Sequence, residues 1–306
     1  MNIPMNQIDH ENIHHHVVIN PASGGGAGTR IRTLLPRLFE KYGLGADFSV
    51  SLNPPHFRSL VKKFGVRENA RTVICGGDGS VNMALNELLP NRILRLGLIP
   101  CGRGNDFART LGISRAAERA VKLLTRGRER PIDVGFVGKR PFATIAAAGY
   151  DADVSVTASK IKRIKGGLVY LFAALKEFVR LKQRTVIIEG DEFSFEGQVL
   201  MVSFANAPFY GGGMQLSPDS RVDDGKIEVC LLRNMSKLEF LMTMPGIYSG
   251  RHVRSPKFIY GSSSRIRVSS PDGGPITADG ELIGTLPEEI SVRPSCIRVI
   301  SNPLHM

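Results

Sequence analysis

Tryptophan is absent from the 306-residue chain, cysteine occurs four times, and aromatic residues make up only 7% of it. The few stacking side chains and the lack of a nucleic-acid-binding motif argue against capture of single strands on aromatic platforms, and no nucleic-acid partner is expected. Cys75, Cys101, Cys230 and Cys296 lie far apart with no C-x-x-C spacing. They are expected to be reduced thiols, neither a zinc site nor a disulfide frame. Long apolar runs are missing too: Phe142 to Tyr150 and Leu168 to Leu175 stop well short of the ~20 residues that span a bilayer. The N-terminal segment lacks a basic stretch followed by an apolar core, so it does not read as a signal peptide, and a cytoplasmic protein is expected. His14, His15 and His16, just before the first strand-like run, are expected to be neither a metal tract nor a tag.

Acidic side chains are the other deficit. Asp and Glu number 28 against 40 Lys and Arg, leaving a net charge of +12. That imbalance by itself favours an anionic partner: nucleic acid, a phospholipid surface or nucleotide phosphates. The 42% apolar and 22% charged content is ordinary for a globular protein. The length allows two domains, each with its own core.

Glycine is what the chain has in quantity, and in the first third it gathers at three turns. These are Asn20-Pro21-Ala22-Ser23-Gly24, Gly76-Gly77-Asp78-Gly79-Ser80 and Pro100-Cys101-Gly102-Arg103-Gly104-Asn105-Asp106. Each follows a short β-branched run (Val17 to Ile19, Thr72 to Cys75, Leu96 to Ile99) and precedes a helix-like stretch. One such turn is explained by strand-to-helix geometry alone. Three at consecutive strand ends open on the same edge of a parallel sheet, where ligands bind, and glycine there admits a phosphate to the first N–H groups of a helix.

Strand signals at Val17 to Asn20, Asp47 to Ser51, Arg71 to Cys75 and Leu96 to Pro100 alternate with helical spacing at Arg30 to Tyr42, His56 to Phe64, Ser80 to Leu89 and Ala116 to Leu124. This predicts an α/β domain over residues 1–131, a parallel sheet with flanking helices, and Pro36 is expected to kink or shorten its helix. Beyond Pro131 strands dominate: Ile132 to Val137, Phe142 to Ala146, Thr185 to Glu189, Glu196 to Ala205, Ile227 to Leu232, Arg265 to Val268 and Ile290 to Val292. A β-rich, sandwich-like domain is predicted over 132–293. Within it, Lys160 to Arg184 carries eight Lys or Arg against the single Glu177, with Leu168, Leu171, Phe172, Leu175, Phe178, Val179 and Leu181 at helical spacing. The apolar face is expected to pack on its own domain, while the charge still attracts an anionic membrane.

The turns, in this order, resemble the diacylglycerol kinase catalytic-domain family, which groups bacterial lipid kinases with sphingosine and ceramide kinases. The family patterns Asn-Pro-x-Ser-Gly, Gly-Gly-Asp-Gly-Thr, Pro-x-Gly-Thr-x-Asn-Asp-Phe-Ala-Arg and Asp-Gly-Glu appear as Asn20 to Gly24, Gly76 to Ser80, Pro100 to Arg109 and Asp279-Gly280-Glu281. The segment from Asn206 to Gly225 resembles the one that precedes a structural magnesium position. Two departures stand out: Ser80 replaces a threonine and keeps the hydroxyl, whereas Arg103 replaces a threonine with a planar cation. That cation either forks onto ATP phosphates or occupies the nucleotide's place.

The resemblance implies a magnesium-dependent lipid kinase that uses ATP, by default on diacylglycerol, with the site in a cleft between the domains and the last strand, about 294–306, returning to the first domain. It places Asn20, Pro21, Ser23, Gly24 and Ser51 along the nucleotide, Gly76, Gly77, Asp78, Gly79 and Ser80 around its phosphates, and Arg103 and Asn105 in the third turn. Asp78 either serves a catalytic magnesium ion or the acceptor hydroxyl, or bonds its own turn. Glu281 matches the general base and Asp279 its support; Asp224, with carbonyls near Arg221 and Lys226, matches the structural magnesium site. Asn105 resembles an N-cap for the following helix. An NAD kinase-like enzyme, which shares the Gly-Gly-Asp-Gly turn, and a nucleotide- or lipid-binding regulator disabled by Arg103 are the rival readings. Peripheral membrane association is expected, and a homodimer is compatible with the sequence.

Overall fold

The computed structural model describes residues 13–65, 70–89, 94–161, 167–233 and 235–302. The N-terminal part runs β1 (His14–Ile19), α1 (Ala27–Lys41), β2 (Ala46–Val50), α2 (Pro54–Gly65), β3 (Ala70–Gly76), α3 (Asp78–Leu88), β4 (Leu94–Pro100), α4 (Asp106–Thr110) and α5 (Ala117–Arg126). Its strands pair in parallel in the order β2-β1-β3-β4. Val17, Val18, Ile19, Val73, Ile74 and Cys75 are all buried, because helices cover both faces of such a sheet. Leu35, Leu38 and Phe39 supply the buried stripe of α1. Pro36 does not shorten that helix, which runs unbroken through it to Lys41. Beneath the sheet a fully buried Arg71 pairs with Glu129 at 2.7 Å.

The remainder runs β5 (Arg128–Val137), β6 (Arg140–Phe142), β7 (Ile145–Gly149), α6 (Tyr150–Lys160), α7 (Gly167–Val179), β8 (Arg184–Gly190), β9 (Ser194–Ala205), β10 (Ile227–Arg233), α8 (Lys237–Tyr248), β11 (Phe258–Ser263), β12 (Arg265–Ser269), β13 (Pro275–Ala278), β14 (Glu281–Thr285) and β15 (Glu288–Ser301). Strands β7 to β14 pair antiparallel, and their inner faces enclose a second core containing Phe142, Val202, Phe204, Val229, Ile266 and Ile290. The single strand expected over Phe142 to Ala146 is instead broken between β6 and β7. The separate strands expected near 290 and 296 are one, β15, which pairs antiparallel with β12 and β5 and parallel with β4. Its register slips between Arg293 and Ile297, where Ser295 has φ 54° and its N–H donates to Asp133 Oδ1 at 2.8 Å.

Helix α7 departs from expectation. Leu171, Phe172, Leu175 and Val179 are 51% to 71% exposed, so this apolar face does not pack on the domain. Inward contacts come from Ala173, which is buried, and from Phe178, stacked on Phe240 of α8 at 5.9 Å. On α8, Leu238, Leu241 and Met242 are exposed as well. Lys162, Arg163 and Lys165 of the basic segment, and the side chain of Leu168, lie outside the described residues. Among the described residues no helix is long and apolar enough to cross a membrane.

Candidate functional site

The three glycine turns meet at the C-terminal edge of the parallel strands, as the right-handed βα connection requires. Asn20 Nδ2 donates to Ser80 Oγ at 2.9 Å, and the hydroxyls of Ser23 and Ser80 lie 3.4 Å apart, which ties the first turn to the second. The Cys101 N–H donates to the Gly76 carbonyl at 2.9 Å, tying the second to the third. Gly24 has φ +62°, and a Cβ there would strike the Cys101 carbonyl. A Cβ on Gly77 would stand 2.8 Å from Gly102 Cα. These glycines let backbone meet backbone. Gly79 differs, since a Cβ there meets nothing within 4 Å. It is itself exposed within the first turn of α3, whose Ser80 and Val81 N–H groups both donate to the Gly77 carbonyl.

Arg103 is exposed, and its Nη2 lies 3.1 Å from a Cβ position on Gly25, so the guanidinium rests over the first turn. Ser51 is buried at the end of β2 and its hydroxyl donates to the Ile19 carbonyl at 3.1 Å. Pro21 borders the same turn, where its carbonyl accepts from Thr29 Oγ1 at 3.3 Å. The sulfurs of Cys75 and Cys101, distant in sequence, lie 3.8 Å apart as free thiols beneath the turns; the hydrogen bond with Cys101, together with burial, pushes the Cys75 thiol up.

One sequence expectation is corrected in the third turn, and one of the alternatives for Asp78 falls with it. Asn105, with φ 55°, does not cap α4 with its side chain: Oδ1 accepts from the Gly102 N–H and Nδ2 donates to the Gly102 carbonyl, both at 2.8 Å. The cap comes from Asp78, whose Oδ1 accepts the Phe107 N–H at 3.1 Å. Asp78 therefore bonds a helix 29 residues downstream and not its own turn. Burial pushes its carboxyl up to about 6, and the charges of Asp106 and Asp279 act in the same direction. Asp106 is raised as well, by burial. Its Oδ2 accepts the Gly212 N–H at 2.7 Å across the cleft, while its Oδ1 is buried without a hydrogen-bond partner among the described residues. Arg109 completes the crossing, lying against Gly213 and 5.5 Å from the Phe209 ring.

The Asp279-Gly280 pair forms a two-residue hairpin between β13 and β14, with φ 48° and 80°. Asp-Gly suits such a turn, which demands two positive φ values. Asp279 is saturated: Oδ2 accepts from Asn82 Nδ2 at 3.0 Å and Ala143 N at 2.9 Å, and Oδ1 from Thr144 N at 2.9 Å and Thr144 Oγ1 at 2.7 Å. Asn82 sits on α3 one turn beyond Asp78, so this carboxylate fastens the β-rich part to the second glycine turn. Glu281 opens β14 and is exposed. Tyr170 of α7 reaches the same hairpin, its Oη 3.6 Å from a Cβ position on Gly280.

Asp224 is exposed in the turn before β10, and its Oδ1 accepts the Lys226 N–H at 3.0 Å. Burial raises it, with Asp133 adding to the effect. Burial with the charges of Asp224 and Asp219 lifts Glu228 to about 7. The side chains of Arg221 and Lys226 turn away to Asp223 and Glu192, leaving only their backbone available to Asp224.

Sequence reasoning passed over Asn82, Asp133, Thr144 and Tyr170. Asp133 accepts N–H donors from both Gly225 and Ser295, at 2.7 and 2.8 Å, yet a lone aspartate in a strand carries no local signal.

Two sequence models of known families match the chain. The diacylglycerol kinase catalytic domain covers residues 14–137, and the YegS C-terminal NAD kinase beta sandwich-like domain covers residues 144–301. The diacylglycerol kinase of Bacillus subtilis is 30% identical over 277 residues, spanning 89% of this chain and 91% of that protein. The diacylglycerol kinase of Mycobacterium tuberculosis is 28% identical over 294 residues, 94% of each. A crystal structure of a diacylglycerol kinase from Bacillus anthracis shares the fold, with a TM-score of 0.71 at 19% identity over 95% of this chain and 97% of that one.

Proposed function

We propose that this chain, which belongs to the diacylglycerol kinase family, transfers the γ-phosphoryl group of ATP to a hydroxyl of a membrane lipid, with diacylglycerol as acceptor and phosphatidic acid as product. The observation that carries this reading is the four-bonded Asp279, which holds the Glu281 hairpin one helical turn from the Gly76 to Ser80 loop. Phosphoryl transfer needs the triphosphate held, its charge screened, and an acceptor oxygen brought in line beside a base.

Asn20, Ser23, Gly24 and Ser51 border the nucleotide, and the backbone at Gly79, at the start of α3, receives its phosphates. Arg103, lying over the first turn, reaches the same phosphates as a fork. Glu281 takes the proton of the acceptor hydroxyl, and Asp279 positions it through the hairpin. The raised Asp78 and the orphaned Asp106 Oδ1 fit a hard divalent cation, so these two carboxylates would hold a catalytic magnesium ion. Such an ion supplies charge neutralisation on the transferring phosphoryl group. Asp224, with the carbonyls of Arg221 and Lys226, would hold the structural one.

The exposed face of α7 gives the acceptor its route. Leu171, Phe172, Leu175 and Val179 enter the acyl boundary of an anionic membrane, Lys176, Arg180 and Lys182 meet its headgroups, and Tyr170 marks the line from that face to Glu281. The protein thus works as a peripheral membrane enzyme.

Labelled ATP incubated with a panel of extracted lipids tests the reading, with phosphorylated diacylglycerol as the expected product. Glu281→Ala should abolish turnover while ATP still binds. Arg103→Thr should weaken ATP binding; a sharp rise of turnover from near zero would instead identify the wild-type chain as a disabled regulator.

A further inference from the structure

The first three histidines of β1 do not act as a tract. Strand alternation sends His15 to the face where its Nε2 meets Arg71 Nη1 at 3.1 Å, and sends His14 and His16 to the other. The parallel register sets His16 beside Asp47 of β2. His14 Nε2 lies 3.0 Å and His16 Nδ1 3.4 Å from Asp47 Oδ2, and the three donor atoms all fall within 4.8 Å of one another. Zinc bonds to nitrogen and carboxylate oxygen of about 2.0–2.2 Å, arranged tetrahedrally, put neighbouring donors about 3.4 Å apart. Ordinary rotamer adjustment therefore closes the set.

We propose that His14, His16 and Asp47 bind a divalent first-row transition-metal ion at the edge of the N-terminal sheet. Two imidazoles with one carboxylate suit zinc, cobalt, nickel or copper and not magnesium. His16 is only 2% exposed and stacks on Phe64 at 4.5 Å with the planes 10° apart, which fixes its ring before any ion arrives. His14 and Asp47 are 46% and 64% exposed, so they leave an approach for the ion and a fourth position for water. The site lies at the start of the strands, the opposite edge from the glycine turns, and is separate from phosphoryl transfer. Because β2 pairs with β1 alone among the described strands, the ion clips an edge strand to its neighbour.

The test uses the full chain without an affinity tag, titrated with zinc chloride by calorimetry in excess magnesium, and in parallel with cobalt chloride by visible absorption. One equivalent of zinc is expected to bind. Cobalt should give tetrahedral d–d bands without near-ultraviolet thiolate charge transfer. His14→Ala and Asp47→Asn, both at exposed positions, should each weaken zinc binding by more than the roughly 10- to 100-fold that follows loss of a ligand's outer-shell partner and erase the cobalt bands, while circular dichroism and kinase turnover stay at the parent level. Unchanged zinc affinity in both variants, absent cobalt bands in the parent, or a thiolate signature would overturn the assignment.

Discussion

Two glycines that look alike in sequence should respond in opposite ways to the same added methyl. Gly79 sits in the first turn of α3 with open space where a Cβ would stand. Gly77, two residues earlier, has Gly102 Cα at 2.8 Å from that position. Gly79→Ala gains helix propensity, up to about 0.5–1 kcal/mol at an interior position and less so near the end. If phosphate rests on the α3 N-terminus, the methyl enters the ligand's space and costs one charge-assisted hydrogen bond, about 1.5–3 kcal/mol. That loss corresponds to roughly 10- to 150-fold in Kd. Gly77→Ala forces two backbones apart and should cost about 1–3 kcal/mol of stability as an overpacked site. Urea denaturation and calorimetry with a non-hydrolysable ATP analogue read both quantities. A Gly79→Ala protein that is as stable as its parent and binds nucleotide within twofold of it would refute the placement of phosphate on this turn.

The Asp78 carboxyl, at about 6 in the folded state against its ordinary 3.8, binds protons more readily folded than unfolded. Its contribution to stability is therefore full below pH 3.8 and lost as pH rises through 6. Asp78→Asn should flatten that decline in a pH series of urea midpoints and abolish turnover; an unchanged pH slope counts against the burial argument. Asp279→Asn sets a donor against at least one backbone N–H, that of Ala143 or of Thr144, and should cost about 1.5–3 kcal/mol, since at least one part-buried charge-assisted bond is lost; a change below about 0.5 kcal/mol, the scale of an ordinary surface substitution, would contradict it. Leu175→Asp on the exposed face of α7 should reduce turnover on diacylglycerol in anionic vesicles at least tenfold while sparing a short-chain soluble diacylglycerol. Equal losses on both substrates would remove the membrane role of that face.

The β-branched runs ending in glycine made β1, β3 and β4 and their convergent turns legible, because burial on both faces writes a continuous apolar signal. The partner of each turn was not legible. Asp78 caps a helix 29 residues away, and nothing within the Gly76 to Ser80 pentapeptide names Phe107 as its recipient. Likewise the pentapeptide does not distinguish Gly77, closed by Gly102, from Gly79, open to solvent. Helix α8 went unread, although Ser236 and Glu239 form a capping box at its start. Strands β13 and β14 are only four and five residues long, so alternation has no room to appear. For α7 the periodicity grouped the apolar residues correctly but left open what that group faces, since a stripe reads the same against protein, lipid or water.

β5 and β15 form the ribbon joining the two halves, and neither half owns it: β15 leaves β12, slips register at Arg293 to Ile297, and ends beside β4. A swivel about a single flexible tether is therefore ruled out as the way the halves approach each other. Any tightening around bound reactants has to flex this double span, with the Asp133 clasp on Ser295 at its natural bending point.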